Sequence, residues 1–198
     1  MRVVGIDLAG VESRPTGFCI LDENLNVKTS ILYTDKEIIN EVKSIKPKII
    51  SIDAPLALPK GRKSLSDRKG PHLRACDREL LNMHIKFFPV TLGPMRALTR
   101  RGMRLKKVFE RLNFEVIESF PGAMQDLLNM PRKKAGLEKL REALIAYGIK
   151  GDVEIAKTDH ELDAICSAIV GKMYLEGKYL AIGDPKEALI ILPKAIKK

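Results

Sequence analysis

The sequence predicts an α/β protein with a five-stranded mixed sheet, flanking helices and a basic helical insertion. The first part of the chain alternates short β-branched runs with turn-forming segments, which is typical of an antiparallel meander of three strands. Helical and strand patterns then alternate, which indicates parallel strands joined by helices. With 198 residues, of which 45% are hydrophobic, the chain is long enough to bury one core. We therefore expect a single domain over residues 1–198, with the insertion at about 60–112.

Three strands open the chain. Apolar runs rich in β-branched residues cover 2–8, 17–21 and 27–33, and short segments that contain Gly, Pro, Asp or Asn separate them. Loops this short join antiparallel neighbours, so we expect the three strands to pair in chain order.

A helix and a fourth strand follow the meander. Asp35 is a suitable N-cap and Pro47 ends the helix, while Ile38 and Val42 share its apolar face. The run at 49–52 is a buried strand. A right-handed crossover of this length predicts that the fourth strand lies parallel to the first.

The second half of the chain continues the α/β pattern. Its predicted elements are helices at about 73–84 and through 105–112, a fifth strand at 114–119, a helix at 137–147, and a long helix that begins at Thr158 or Asp159 and ends at Gly177. Two short closing segments, at 179–182 and 188–192, are not counted among the five strands.

The charge distribution favours a polyanionic partner. Lys and Arg outnumber Asp and Glu by 35 to 25, so the formal net charge is +10. Residues 60–112 alone carry fifteen of these basic residues and only four acids, which suits the phosphates of DNA or RNA. The candidate nucleic-acid-binding residues are Arg74, Arg78, Arg100, Arg101, Arg104, Lys106 and Lys107. Arg74 could instead pair with Asp77, and a solvated helix face would also account for the basic run.

Composition argues against several other classes of protein. No run approaches the roughly 18 apolar residues of a membrane span, and Asp7 falls where a signal peptide would be apolar. Cys19, Cys76 and Cys166 form no CxxC pair, which indicates reduced thiols in a cytoplasmic protein. Trp is absent and aromatic residues make up 5%, which disfavours a base-stacking platform for single strands.

Three acids stand at the ends of predicted strands. Asp7 ends the first strand, Asp53 the fourth and Glu118 the fifth. Because the carboxyl ends of parallel strands meet at one edge of a sheet, Asp7 and Asp53 should lie a few ångströms apart. Like charges at that distance repel unless a proton or a cation lies between them. Carboxylate oxygens favour Mg²⁺ or Mn²⁺, although a turn at Asp7 or Asp53 would also account for either acid alone.

The first turns of the last long helix add further titratable groups. Asp159 and Asp163 are four residues apart and share one face of the helix, and His160 lies between them. Asp163 precedes an apolar run, so its carboxylate can point into a site at the edge of the sheet. A helix cap is the competing interpretation for Asp159, and a solvent-facing side chain is the competing interpretation for His160.

The order of these parts resembles the ribonuclease H-like fold. Asp7 in Gly-Ile-Asp-Leu-Ala-Gly resembles the first-strand aspartate of that superfamily, Asp53 its fourth-strand acid, and Asp163 the final-helix acid of its resolvase branch. The chain resembles more closely the predicted nucleases of domain-of-unknown-function family 429. The motifs that carry this resemblance are Gly5–Ala9, Ser51–Leu56, Arg74–Leu80, Glu118–Pro121, His160–Ala164, Gly183-Asp184 and Ile191–Pro193.

The resemblance implies a divalent-metal-dependent nuclease that hydrolyses phosphodiester bonds in nucleic acid. We expect Asp7 to be shared between two cations, Mg²⁺ or Mn²⁺, with Asp53 and Glu118 on one side and Asp163 on the other. His160 could position the water or carry a proton to the leaving oxygen. The alternatives are a non-catalytic nucleic-acid-binding module on the same fold and an actin-like phosphotransferase, which would need a second domain and a second phosphate loop.

Overall fold

One eight-stranded mixed sheet forms the centre of the molecule, in a computed structural model that describes residues 1–194. The strands are β1 (Arg2–Asp7), β2 (Thr16–Asp22), β3 (Asn26–Leu32), β4 (Ile49–Asp53), β5 (Val116–Ser119), β6 (Lys150–Gly151), β7 (Tyr179–Asp184) and β8 (Ala188–Pro193). They lie in the order β6-β3-β2-β1-β4-β5-β8-β7. The helices are α1 (Asp35–Ile45), α2 (Ala75–Asn82), α3 (Gly93–Arg111), α4 (Pro121–Leu127), α5 (Leu137–Tyr147) and α6 (Asp159–Leu175). Single turns of 3₁₀ helix cover Lys133–Ala135 and Asp152–Glu154.

The predicted meander and crossover are confirmed. β1 pairs with β2 and β2 pairs with β3, both antiparallel. After α1 the chain returns as β4, which lies beside β1 and parallel to it. The register of this parallel pair places Asp7 directly opposite Asp53.

The sheet has eight strands, so the predicted number of five is wrong. The two closing segments pair with each other as β7 and β8, and β8 adds to β5 in parallel. The two-residue strand β6 adds to β3 at the far edge. The pairings of β8 with β5 and of β6 with β3 join segments that are far apart in the sequence, so no local pattern indicates them. α4 is not among the predicted elements, although Pro121 occupies its first turn, where proline is common.

Helices cover both faces of the sheet. On one face α6 packs with α4 and α5 against a core that includes Val3 and Ile49. On the other face α1 and α3 pack against a core that includes Ile6 and Ile52. Residues 162–171 of α6 are all buried, as expected for a helix that is apolar on most of its sides. Within residues 1–194, no helix combines the length and apolarity needed to cross a membrane.

The two helices predicted in the basic segment pack onto this framework through their apolar faces. Leu105 and Phe109 of α3 reach the same core as Ile52, and Cys76 and Leu80 of α2 pack with residues of β7 and β8. Both helices therefore have one side fixed to the sheet, and most of their basic residues, though not Arg101, lie away from that side.

Two glycines allow α6 to lie directly on the sheet. A Cβ added at Gly5 of β1 would overlap the carbonyl oxygen of Ala164, and one added at Gly17 of β2 would overlap the carbonyl oxygen of His160. Glycine in a strand interior often marks such a close approach of another backbone. The approach places the first turns of α6 beside the end of β1. Thr158 caps the helix, with the Glu161 side chain completing a capping box.

Replacing Gly5 with alanine should lower the free energy of unfolding by about 1–3 kcal/mol, the range for overpacking a well-packed core, because α6 must move away from β1. Denaturant unfolding followed by circular dichroism measures this loss. Gly93→Ala is the matched control, because a Cβ there meets no atom within 4 Å and alanine favours helix. Equal stability of the two variants would contradict the close seating of α6.

Candidate functional site

Asp7 and Asp53 are neighbours at the carboxyl edge of the sheet. They are register partners in the parallel ladder of β1 and β4, so their backbones are about 4.8 Å apart and their side chains share one face. This is the face covered by α6, because Gly5, two residues before Asp7, lies against Ala164 of that helix. The structure therefore brings together the two acids that the sequence placed at adjacent strand ends.

The negative charge around Asp53 is only partly offset, by the ammonium of Lys133. Burial and the charge of Asp7 raise the pKa of Asp53 well above its usual value, and no hydrogen bond from residues 1–194 lowers it. Ser119, which lies beside Asp53 on the same face of β5, has a buried hydroxyl with no partner in the described part of the chain. A proton or a cation would relieve this crowding of like charge. The oxygen donors present are the kind that Mg²⁺ and Mn²⁺ prefer.

His160 pairs with Asp7. Its Nδ1 lies 2.6 Å from Oδ2 of Asp7, and since an ionised carboxylate only accepts, the ring nitrogen donates. This hydrogen bond raises the pKa of His160 above its usual value, and the charge of Asp7 adds to the shift. The histidine at the start of α6 therefore faces the strand-end acids and does not simply point into solvent.

Asp163 also faces this edge, but both of its oxygens already accept hydrogen bonds. Nε2 of Gln125 donates to Oδ1 at 3.0 Å, and Nζ of Lys133 donates to Oδ2 at 2.9 Å. The same ammonium donates to Oδ2 of Asp159 at 3.0 Å. Burial and the charge of Asp7 raise the pKa of Asp163, against the opposing effect of Lys133. Asp159 and Asp163 thus share one lysine.

The acids at this edge form two pairs and do not surround one point as a complete set of metal ligands would. Within residues 1–194, no group of three or more His, Cys, Asp and Glu side chains is arranged to hold a metal ion. Asp7 and Asp53 form the first pair, and Asp159 and Asp163, bridged by Lys133, form the second. Mg²⁺ in proteins is commonly held by one or two carboxylates and completes its shell with water and substrate phosphates. The first pair suits that mode of binding.

Glu118 does not face this site, which corrects the expectation that it is a metal ligand. It is the register partner of Ile52, so it lies on the face opposite to Asp53. There the guanidinium of Arg74 donates to both of its oxygens at 2.8 Å, and the backbone N–H of Leu56 donates to Oε2 at 2.8 Å. Its charge is therefore balanced by a buried ion pair.

The prediction that Arg74 and Arg101 bind nucleic acid is wrong, because their side chains are buried. Arg74 is 2% exposed and holds both Asp77 and Glu118, so the pairing with Asp77 considered above is the one observed. Arg101 is 3% exposed and donates to Asp35 at 2.7 Å and to two backbone carbonyls. Neither guanidinium is accessible to a phosphate.

The other predicted nucleic-acid-binding residues reach the surface. The first turns of α3 lie close to the end of β1, because a Cβ at Gly10, in the loop after β1, would lie 3.3 Å from the backbone nitrogen of Leu98. The remaining set is Arg78, Arg100, Arg104 and Lys107, which are exposed, and Lys106, which is half-buried. Of this set, Arg100, two residues after Leu98, lies nearest in sequence to the contact at the end of β1.

Two residues of the site were not found from the sequence. Lys133 lies in a short turn far from Asp163 in the chain, and its neighbour Lys134 has the same local pattern. Gln125 lies on α4, which was itself not predicted. The one available signal was that Gln125 is the sole glutamine of the chain and stands within an apolar stretch.

Comparisons with known proteins agree with this architecture. A family model described as a protein of unknown function (DUF429) matches residues 5–188. The structure is similar to T. thermophilus RuvC in complex with Holliday junction substrate, at 12% identity and a TM-score of 0.54, covering 96% of this chain and 99% of that one. A second Thermus thermophilus RuvC structure matches at 12% identity and a TM-score of 0.48, covering 89% of this chain and 96% of that one.

These matches differ in what they show. No curated protein matches the chain. At 12% identity, the likeness to the RuvC complex shows the fold alone, which is ribonuclease H-like. The family match extends over most of the sequence and agrees with the resemblance carried by the motifs. The chain therefore belongs to the DUF429 family and has a RuvC-like α/β fold.

Proposed function

We propose that the protein is a divalent-metal-dependent nuclease that hydrolyses phosphodiester bonds in nucleic acid. The observation that carries the proposal is the side-by-side placement of Asp7 and Asp53 at the carboxyl edge, with His160 and Asp163 of α6 facing them. The similar RuvC structure holds a Holliday junction substrate, so DNA or RNA is the class of substrate that we infer. Fold alone does not determine activity, so it is the geometry of these side chains that supports a nuclease.

Asp7 and Asp53 are the residues that would hold Mg²⁺ or Mn²⁺. Their carboxylates share one face of the sheet, and no group within residues 1–194 donates a hydrogen bond to Asp53. A divalent ion bound there supplies a Lewis acid that neutralises phosphate oxygens and lowers the pKa of a bound water. The protein in turn fixes both ligands at the ends of two neighbouring strands.

His160 is the group that we propose for proton transfer. Asp7 holds its Nδ1, which fixes the orientation of the ring and leaves Nε2 for the substrate or for water. The hydrogen bond to Asp7 raises the pKa of His160 and so favours the protonated ring, which suits donation of a proton to a leaving oxygen.

The exposed basic residues of α2 and α3 are the proposed contacts to the nucleic acid backbone. Arg78, Arg100, Arg104 and Lys107 are exposed, and Lys106 is half-buried. Such contacts position a polyanion without reading its sequence. The three cysteines are free thiols, which agrees with the cytoplasmic location that we propose.

Cleavage of labelled four-way junctions, duplex DNA, single strands and RNA in the presence of Mn²⁺ tests the proposed activity. We expect Asp7→Asn and Asp53→Asn each to lower the rate by about 100-fold or more, the scale expected when a main electrostatic stabiliser of the transition state is lost. Glu41→Gln is the matched control, because Glu41 is an exposed carboxylate on α1, on the opposite face of the sheet, and its loss should leave the rate unchanged.

Other outcomes of the same assay would contradict the nuclease. Salt-sensitive binding of nucleic acid without cleavage of any substrate would favour the non-catalytic module. Turnover of ATP, without cleavage of nucleic acid, would favour the phosphotransferase.

The stability of Asp53→Asn provides a separate prediction. Because the pKa of Asp53 is raised in the folded protein, its ionised form costs stability once the pH exceeds the pKa of an unfolded aspartate, about 4. At pH 7 the metal-free variant should therefore unfold at a higher temperature than the metal-free wild type. Mn²⁺ at 100 times its Kd should stabilise the wild type by about 2.7 kcal/mol and the variant far less.

Differential scanning fluorimetry with and without Mn²⁺ measures both effects. The same Glu41→Gln variant should behave like the wild type. A metal-free Asp53→Asn protein that melts below the wild type, or that keeps the full response to Mn²⁺, would contradict the role assigned to Asp53.

A further inference from the structure

Lys133 is a fixed cation inside the acidic site. It belongs to the 3₁₀ turn between α4 and α5, and its ammonium lies 2.9 Å from Oδ2 of Asp163 and 3.0 Å from Oδ2 of Asp159. The side chain is 44% exposed, whereas that of Asp163 is only 7% exposed, so the lysine reaches from the surface onto a buried carboxylate.

The turn that carries Lys133 is itself anchored. The neighbouring Arg132 makes a two-pronged pair with Asp126 of α4, with distances of 2.7 and 2.5 Å, and its guanidinium lies 5.9 Å from the centre of the Phe120 ring. Paired hydrogen bonds of this kind fix geometry as well as charge. The backbone that carries Lys133 is therefore held in place by contacts of Arg132, which are separate from the hydrogen bonds of the Lys133 ammonium.

Its position leaves little room for a second divalent ion on this side of the site. Oδ2 of Asp163 and Oδ2 of Asp159 both accept from the ammonium, and Oδ1 of Asp163 accepts from Gln125. A second divalent ion would have to share these oxygens with a positive charge a few ångströms away. Repulsion between cations at that distance is strong in a partly buried site.

We propose that Lys133 takes the place of a second divalent ion, so that the site works with a single ion, held by Asp7 and Asp53. The inference rests on the proposed metal-dependent function and replaces the expected pair of ions with one ion and one ammonium. Lys133 neutralises Asp159 and Asp163, and the single metal neutralises the strand-end acids. Of the three N–H donors of the ammonium, two are used by Asp159 and Asp163, and the third remains for a phosphate oxygen of the substrate.

Mn²⁺ stoichiometry in the full chain tests this inference without an activity measurement. Isothermal titration calorimetry counts the ions, and electron paramagnetic resonance distinguishes isolated Mn²⁺ from a spin-coupled pair. We expect one uncoupled ion per wild-type chain. Lys133→Met, which keeps the length of the side chain and removes the charge, should bind two ions per chain with a coupled spectrum.

Two further variants control for charge and for position. Lys134→Met removes a neighbouring exposed lysine and should bind one ion, like the wild type. Lys133→Arg keeps the positive charge and should also bind one ion, so it remains informative if Lys133→Met fails to fold.

Each remaining outcome overturns the inference in a distinguishable way. Two ions in the wild type, or one ion in both the wild type and a folded Lys133→Met, would refute the role of Lys133 and leave the metal-dependent function standing. Two ions in Lys133→Arg would show that charge at this position does not set the stoichiometry. Absence of Mn²⁺ binding by the wild type would refute the proposed function, and the inference with it.

Discussion

Repulsion among carboxylates at the carboxyl edge of the sheet is the constraint on which the rest of the site depends. The parallel pairing of β1 and β4 places Asp7 opposite Asp53, and the spacing of adjacent strands fixes the distance between their backbones. α6 adds Asp163 to the same face, and burial strengthens the repulsion because water is excluded. A folded chain tolerates such a cluster only with protons or cations among the acids.

The fold meets this constraint by separating its charges between the two faces. On the face covered by α6, His160 pairs with Asp7 and Lys133 pairs with Asp163, so Asp53 is left as the acid without a partner within residues 1–194. On the other face, Arg74 and Glu118 form a buried ion pair with excellent geometry. Breaking such a buried pair is strongly destabilising, so Arg74 and Glu118 hold the insertion against β5 and stabilise the fold.

Much of the fold and part of the site could be predicted from the sequence, and the reasons are physical. Asp7 and Asp53 were predictable because each ends a buried β-branched run, and strands joined by a helical crossover lie parallel with their carboxyl ends at one edge of the sheet. The direction of Glu118 was not predictable, because side chains alternate along a strand and a single sequence does not show which face is which. Lys133 and Gln125 approach Asp163 only through tertiary packing, which the sequence does not show. The sequence likewise does not distinguish Arg101 from its exposed neighbours on α3, because its ion pair with Asp35 joins distant parts of the chain.

Anomalous diffraction from a crystal soaked in Mn²⁺ is the most direct test of the central claim that the strand-end acids hold a divalent ion. The account predicts an anomalous peak about 2.1 Å from carboxylate oxygens of both Asp7 and Asp53, a normal bonding distance for a small hard cation. A fully soaked crystal with no peak at this edge, or with a peak that contacts neither aspartate, would contradict it.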